Sequence, residues 1–391
     1  MACAESPMRV LILSELNPAK LGSMEEFAIF LAGELCRRGH VGYFSFTAEP
    51  VPQVRAMLEG AGGRVADDLI SLCSVVGRGM TDKLKGALQL RRFIAENRID
   101  LVQIIFYSLT NPLLTGVYLS GAKIVFNEQT SVGVPRRGVL KQVVSRLIHG
   151  FLTGRITKYV AISEFVRTRM EISHHVFAPQ SLTIYNAVNL ARFVPQDRDD
   201  ARKRLGIAPE KKIVLTVANL IPEKGLQFLI EAVATVVTEY GMGDALLMVA
   251  GEGGYQRELE SLVAHYGLGA HVTFLGLRSN VDEFVAAADL VAVPSIWPEA
   301  FGYIVAEAMA GGRVVIASRI GGIPELVSDG ESGLLVAPGD SRALADGIAK
   351  LLAEPDYSRQ LAENALHKCH RLFNLRDKVV EYVDLYEGVV R

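Results

Sequence analysis

The sequence predicts an α/β chain built as two doubly wound domains facing each other across a cleft, and three observations carry that prediction. Short apolar runs alternate with helical patterns almost throughout, which argues for parallel sheets covered by helices. At 391 residues the chain is longer than one ordinary core, so two domains are expected. The composition, 50% apolar and 21% charged, suits strands that are buried on both faces.

In the first half the strand candidates are residues 9–14, 40–46, 101–106, 123–127 and 159–162. A helix over 23–38, with Ser23 as its N-cap, joins the first two. Residues 186–209 are polar and turn-rich and read as a linker. A second series follows at 213–218, 245–250, 271–275, 290–293, 314–317 and 334–336. After Asp340 the pattern is helical to the end, longer than one last crossover needs, so the terminal helix is expected to cross back and brace the first domain. The expected division is 1–188, 189–371 and a terminal helix over 372–391.

No stretch approaches ~18 uninterrupted apolar residues, and the first residues lack a basic segment followed by an apolar one. A cytoplasmic protein without a membrane span is expected. Cys3, Cys36, Cys73 and Cys369 are scattered and form no C-x-x-C, which favours reduced thiols over a disulfide or zinc framework. The net charge of −2 hides an asymmetry: residues 1–195 carry 22 Lys/Arg against 15 Asp/Glu, and 196–391 carry 19 against 28. Residues 136–158 are basic, and 139–152 have helical apolar spacing, so this stretch either contacts anionic lipid at the inner face of a membrane or is a solvated helix with its apolar face in the core. Interleaved aromatics are sparse there, which argues against nucleic acid.

The most informative segment is P-E-A-F-G-Y-I-V-A-E-A-M-A, residues 298–310. A buried strand before it and helical spacing after Gly302 make a strand, loop and helix. The loop then lies at the carboxyl end of the strand, where the N–H groups of the first helical turn, Phe301 to Ile304, are expected to face a phosphate. Glu299 and Glu307 stand on either side, placed to accept hydrogen bonds from hydroxyls. A sugar and a ribose flanking a diphosphate is the simplest ligand of that form. Lys224 and Gly225, ahead of another helix, supply a cation for the same diphosphate. Gly22, before the first helix, permits close approach of a ligand. Asp197-Arg198-Asp199 is the one D-x-D, and it reads as a helix start rather than a metal chelate. His174, His175, His367 and His370 form no ligand constellation. Trp297, beside Glu299, is expected in the core.

These segments together resemble the retaining glycosyltransferases of the GT-B fold, the large bacterial family with an E-x7-E signature (glycosyltransferase family 4-like, glycosyl transferases group 1). The resemblance runs over nearly the whole chain: E-A-F-G-Y-I-V-A-E-A-M-A, G-E-G-G (251–254), I-G-G-I-P-E-L-V (320–327), D-G-E-S-G-L-L-V (329–336) and the hinge-like I-Y-N-A-V-N-L-A-R-F (184–193). It implies two Rossmann-like domains, with the acceptor on the first and a nucleotide-sugar donor on the second. It also implies roles: Glu299 and the backbone of Ala300, Phe301, Gly302, Tyr303 and Ile304 for the sugar and diphosphate, Glu307 for the ribose, Lys224 for the departing phosphate, and Gly22, Gly251, Glu252 and Gly253 lining the donor. No metal or other cofactor is implied.

Two departures stand out. Where the family has an arginine ahead of the lysine this chain has Asn219, so a second cation is missing, with Arg313 or the basic stretch as candidate replacements. Where many relatives have a histidine the chain reads N-E-Q-T, leaving Asn127, Glu128 or Gln129, with Glu128 as the candidate to orient the acceptor or take its proton. The expected activity is transfer of a hexose-type sugar from a nucleotide donor, UDP-linked, to a hydroxyl of a glycan or lipid-linked acceptor, as in lipopolysaccharide or exopolysaccharide synthesis. A non-catalytic sugar-nucleotide sensor and a nucleotide-sugar epimerase remain as alternatives.

Overall fold

The computed structural model describes residues 6–73, 79–131, 154–174 and 178–391. The chain forms two compact units, Met1–Asn186 with Leu375–Arg391, and Ala187–Asn374.

The first unit is built on β1 (Arg9–Ser14), β2 (Val41–Ser45), β3 (Arg64–Val65), β4 (Leu101–Ile105), β5 (Lys123–Glu128), β6 (Lys158–Ala161) and β7 (Ser181–Thr183). They lie parallel in the order β3-β2-β1-β4-β5-β6-β7. Every side chain of Val10–Leu13 is buried, as expected of a central strand with helices on both faces. The helix Ser23–Arg37 packs beside β2 and buries Leu31, Ala32 and Leu35. Its N-cap is Gly22 rather than Ser23, and the Glu25 carboxylate accepts from Gly22 N–H at 3.0 Å. Burial is the main reason the Glu25 carboxyl is held above its ordinary range.

The last helix, Leu375–Val390, packs on Ser23–Arg37, so the expected brace on the first domain is present. Phe27 meets Tyr382 edge-to-face at 5.1 Å, and Tyr386 donates a hydrogen bond to buried Gln103 of β4. Asn127 donates to the Tyr382 hydroxyl at 2.6 Å. These bonds pair the buried Tyr386, Tyr382 and Asn127 side chains, while Gln103 Nε2 has no partner among the described residues.

The second unit holds β8 (Lys212–Val217), β9 (Ala245–Ala250), β10 (Val272–Gly276), β11 (Leu290–Val293), β12 (Val314–Ser318) and β13 (Leu334–Val336). All pair in parallel, in the order β10-β9-β8-β11-β12-β13. Leu229, Ile230 and Val233 of the helix Leu226–Thr238 share a core with Leu344 and Ile348 of Ser341–Ala353. In both units the winding reverses next to the first strand, between β1 and β4 and between β8 and β11.

The structure differs from the sequence-based expectations in three features. Residues 186–209 are not a loose linker: Val188 pairs with Asn374, and the helix Arg198–Leu205 sends Arg202 into the second unit, 2% exposed. Its polar residues point to a loop because a helix of one charged residue after another leaves little apolar pattern to read. The strands β3 and β7, two and three residues long, are too short to give an apolar pattern in the sequence. Phe301 does not belong to a helical first turn, since the helix is Tyr303–Ala310 with Gly302 as N-cap. The expected membrane-contacting stretch 136–158 falls outside the described residues except for its end at 154–158. Among the described residues no helix is long and apolar enough to cross a membrane.

Candidate functional site

In a doubly wound sheet, ligands bind beyond the carboxyl ends of the strands where the winding reverses. In the second unit that place is the gap between β8 and β11, and the chain puts Lys224 after the first and Glu299 after the second. Their side chains meet: Lys224 Nζ lies 2.6 Å from Glu299 Oε1. Ser295 Oγ donates to the same oxygen at 2.6 Å. The pair is 28% and 20% exposed, open enough for a ligand to reach and shielded enough for charge to matter.

Four loops converge to hold this pair. After β8 the chain turns through the 3₁₀ segment Pro222–Lys224 and starts the helix Leu226–Thr238 at Gly225. Gly225 has φ +69°, and a Cβ there would stand 2.0 Å from the Pro294 carbonyl oxygen, so only glycine lets the lysine loop lie on the end of β11. The Glu223 carbonyl accepts from Ile296 N–H at 2.9 Å and ties the two loops together. From the far side, Gly322 N–H donates to the Glu299 carbonyl at 2.8 Å, and a Cβ on Gly321 would stand 2.2 Å from that same oxygen. The segment I-G-G-I-P-E-L-V is therefore the backing of the Glu299 loop.

The loop after β9 closes the other side. Leu220 N–H donates to the Glu252 carbonyl at 2.9 Å, and Gly251 N–H to the Gly276 carbonyl at 2.9 Å. Gly253 lies under Leu220, and Asn219 is exposed at the end of β8. The Glu252 carboxylate accepts from Leu277 N–H at 3.3 Å, so its side chain supports the loop after β10.

Ala300, Gly302, Tyr303 and Ile304 are partly accessible at the start of the helix Tyr303–Ala310, and Glu307 is partly accessible further along it. Phe301 is the exception within the signature. It is 2% exposed and its ring packs edge-to-face on Tyr303 and Phe373, so the side chain anchors the loop from within. Trp297 reverses its expectation: it is 57% exposed, on the loop that carries Glu299.

Arg313 does not replace the missing cation. It precedes β12 and so lies at the amino edge of the sheet, the opposite edge from Lys224. The D-x-D also resolves plainly, as Asp197 caps the helix Arg198–Leu205 through a bond from Asp200 N–H at 2.9 Å. Cys36 and Cys369 are free thiols.

On the first unit, Glu128 ends β5, nearly buried, and its Oε1 accepts from Thr130 N–H at 3.0 Å and Thr130 Oγ1 at 2.6 Å. Asn127 is taken up by Tyr382, and Gln129 bridges Asn127 and Asn186. Glu128 is thus the member of the N-E-Q-T loop with a carboxylate held in place. Gly22, after β1, has its N–H engaged by Glu25. Two features of the carboxyl edges gave no sequence signal. Ser295 looks like any strand-end serine, and Phe106 adopts φ +66° directly after β4, beside the reversal point of the first sheet.

The comparisons agree with this architecture. Residues 197–368 match the model of the glycosyl transferases group 1. An N-acetyl-alpha-D-glucosaminyl L-malate synthase of Bacillus anthracis is 32% identical over 209 residues, 54% of this chain and 54% of that protein. The chain spans about half the length of the curated relatives it matches. Among solved structures, a glycosyltransferase from Rickettsia africae superposes with a TM-score of 0.82 at 19% identity, covering 99% of both chains. Anabaena HepE, crystallised with UDP-glucose, gives 0.77 at 22% identity over 97% of this chain and all of that one. The fold is that of the GT-B glycosyltransferases. The likeness to the glycosyl transferases group 1 lies in the second unit.

Proposed function

We propose that the protein transfers a hexose-type sugar from a nucleoside-diphosphate donor, UDP-linked, to a hydroxyl of a glycan or lipid-linked acceptor, with retention at the anomeric carbon. One observation carries the reading: a lysine and a glutamate from separate loops meet where the second sheet reverses its winding. A cation is what a departing diphosphate needs, and a carboxylate is what sugar hydroxyls need. The complex of HepE with UDP-glucose supports a UDP-linked donor.

In this reading the donor's phosphates enter beside Lys224 and the start of the helix Tyr303–Ala310, and the Lys224–Glu299 pair opens. Lys224 then binds phosphate while Glu299, still held by Ser295, accepts from the sugar hydroxyls. Glu307 takes the ribose diol. The acceptor oxygen bonds to the anomeric carbon as the bond from that carbon to the diphosphate oxygen breaks. The nucleoside diphosphate leaves with the electron pair, and its phosphate takes the acceptor's proton. Lys224 supplies the neutralising charge that a bound metal supplies elsewhere. Glu128 is assigned the orientation of the acceptor hydroxyl. The basic balance of residues 1–195 suits an anionic, membrane-borne acceptor at the cytoplasmic face.

The test is nucleotide release from UDP-hexoses with candidate acceptors, followed by NMR of the product anomer. Retention is expected, and an inverted product contradicts the mechanism. Asn219 favours one second reading, a sensor that binds donor without turnover. Donor binding with no nucleotide release under any acceptor would establish it.

A further inference from the structure

At the amino edge of the second sheet, opposite the loops just described, a cavity of about 550 Å³ opens beneath the starts of β8, β11 and β12. β8 has six residues, so at ~3.3 Å per residue this cavity and Lys224 lie on the order of 20 Å apart. Its size is that of a small-molecule site. Six cationic side chains and three carboxylates line it.

The pairing of these charges is uneven. Asp289 is fully engaged, with Oδ1 bound by Arg198 at 2.7 Å and Oδ2 by Arg202 at 2.7 Å and Ile213 N–H at 2.6 Å. The two other carboxylates, Glu210 and Glu363, are on exposed residues. Arg313 is mostly enclosed, and among the described residues its side chain makes one hydrogen bond, from Nη2 to the Gln196 carbonyl at 2.9 Å. Its Nε is buried without a partner among the described residues. Burial first, and then the neighbouring Arg198, hold the guanidinium below its ordinary pKa. Lys212 pairs with Asp244 and Arg359 with Asp356, each at 3.2 Å, whereas Lys211 has no carboxylate in ion-pairing distance among the described residues. Two cations without an ion-pair partner among the described residues therefore face a cavity, and one holds a buried donor that lacks an acceptor there, a costly arrangement unless something fills it.

We infer that this cavity is a second anion site, which takes a phosphorylated small molecule through Arg313 and Lys211, separate from the loops that hold Lys224 and Glu299. Phosphate oxygens supply the acceptor that Arg313 Nε lacks and the charge that Asp289, already shared by two arginines, cannot provide. A planar guanidinium also matches a phosphate with two parallel bonds.

The probe is inorganic pyrophosphate, titrated calorimetrically at constant ionic strength into full-length protein carrying Lys224→Ala, which weakens the other place where a diphosphate is expected to bind. Saturable binding is expected in that background. Adding Lys211→Glu or Arg313→Gln should weaken it at least about tenfold, the size expected for loss of a charge-assisted bond. Lys211 is partly exposed and makes no ion pair among the described residues, so its variant decides the matter even where Arg313→Gln loses the cooperative unfolding of the native protein. Absence of saturable binding overturns the inference, as does binding that Lys211→Glu leaves unchanged.

Discussion

Lys224 and Glu299 are 75 residues apart in sequence and 2.6 Å apart in space. Under the proposed reaction each has work that the other cannot do. Lys224→Ala is expected to lower kcat/KM by about 100-fold, since removing one charge-assisted bond to the leaving group costs about 1.5–3 kcal/mol. Glu299→Gln keeps the shape but not the charge, and is expected to raise KM for the donor sugar more than Lys224→Ala does. Steady-state kinetics with a UDP-hexose check both, and unchanged kinetics in either variant would count against the assignment. Both residues were legible in the sequence because each follows an apolar strand and precedes a helix. Ser295 was not, since a hydroxyl at a strand end has many uses. Trp297 was misread because its size and apolarity argue for burial, and only the loop's geometry shows the ring in solvent. Arg313 was offered to the wrong edge of the sheet, as a residue ahead of a strand rather than behind it.

At the level of elements, the site depends on backbones that touch. Gly321 and Gly330 both have positive φ, +62° and +73°, but Gly321 backs the Glu299 loop, whereas among the described residues nothing lies within 4 Å of a Cβ on Gly330. Gly330→Ala is therefore expected to pay conformational strain alone, about 1–2 kcal/mol. Gly321→Ala adds a collision with the Glu299 carbonyl, and should lose more stability and most of the donor affinity. Thermal unfolding and nucleotide titration of the two variants separate these effects; equal behaviour would contradict the packing argument. The strands at 9–14, 245–250, 290–293 and 334–336 were readable to the residue because their apolar runs are bounded by polar or turn residues. The helix Arg198–Leu205 was only glimpsed through its acidic cap. Its tertiary purpose rests on Arg202, which donates to the Ala287 and Pro209 carbonyls and to Asp289. Nothing local marks an arginine as a core residue.

For the whole molecule, the chain's last helix belongs to its first unit, which the sequence indicated only through the excess of helix after Asp340. Tyr386 is fully buried there and bonds Gln103 of β4. Tyr386→Ala is expected to destabilise the first unit by about 3–5 kcal/mol through the cavity and the lost bond. Chemical denaturation should show this while nucleotide binding in the folded protein is preserved; simultaneous loss of binding under native conditions would contradict the division of labour. The order of strands, with its reversal beside β8, was not legible from sequence, because parallel neighbours carry the same apolar pattern whichever order they take. Yet that order is what brings the Lys224 and Glu299 loops together. The most direct measurement is calorimetric titration of the protein with UDP, GDP and ADP, repeated on Glu307→Ala and Lys224→Ala. The account predicts that one nucleotide binds in the micromolar range and that each variant loses on the order of 1–3 kcal/mol of that binding. Failure of all three to bind, or binding indifferent to both substitutions, would contradict it.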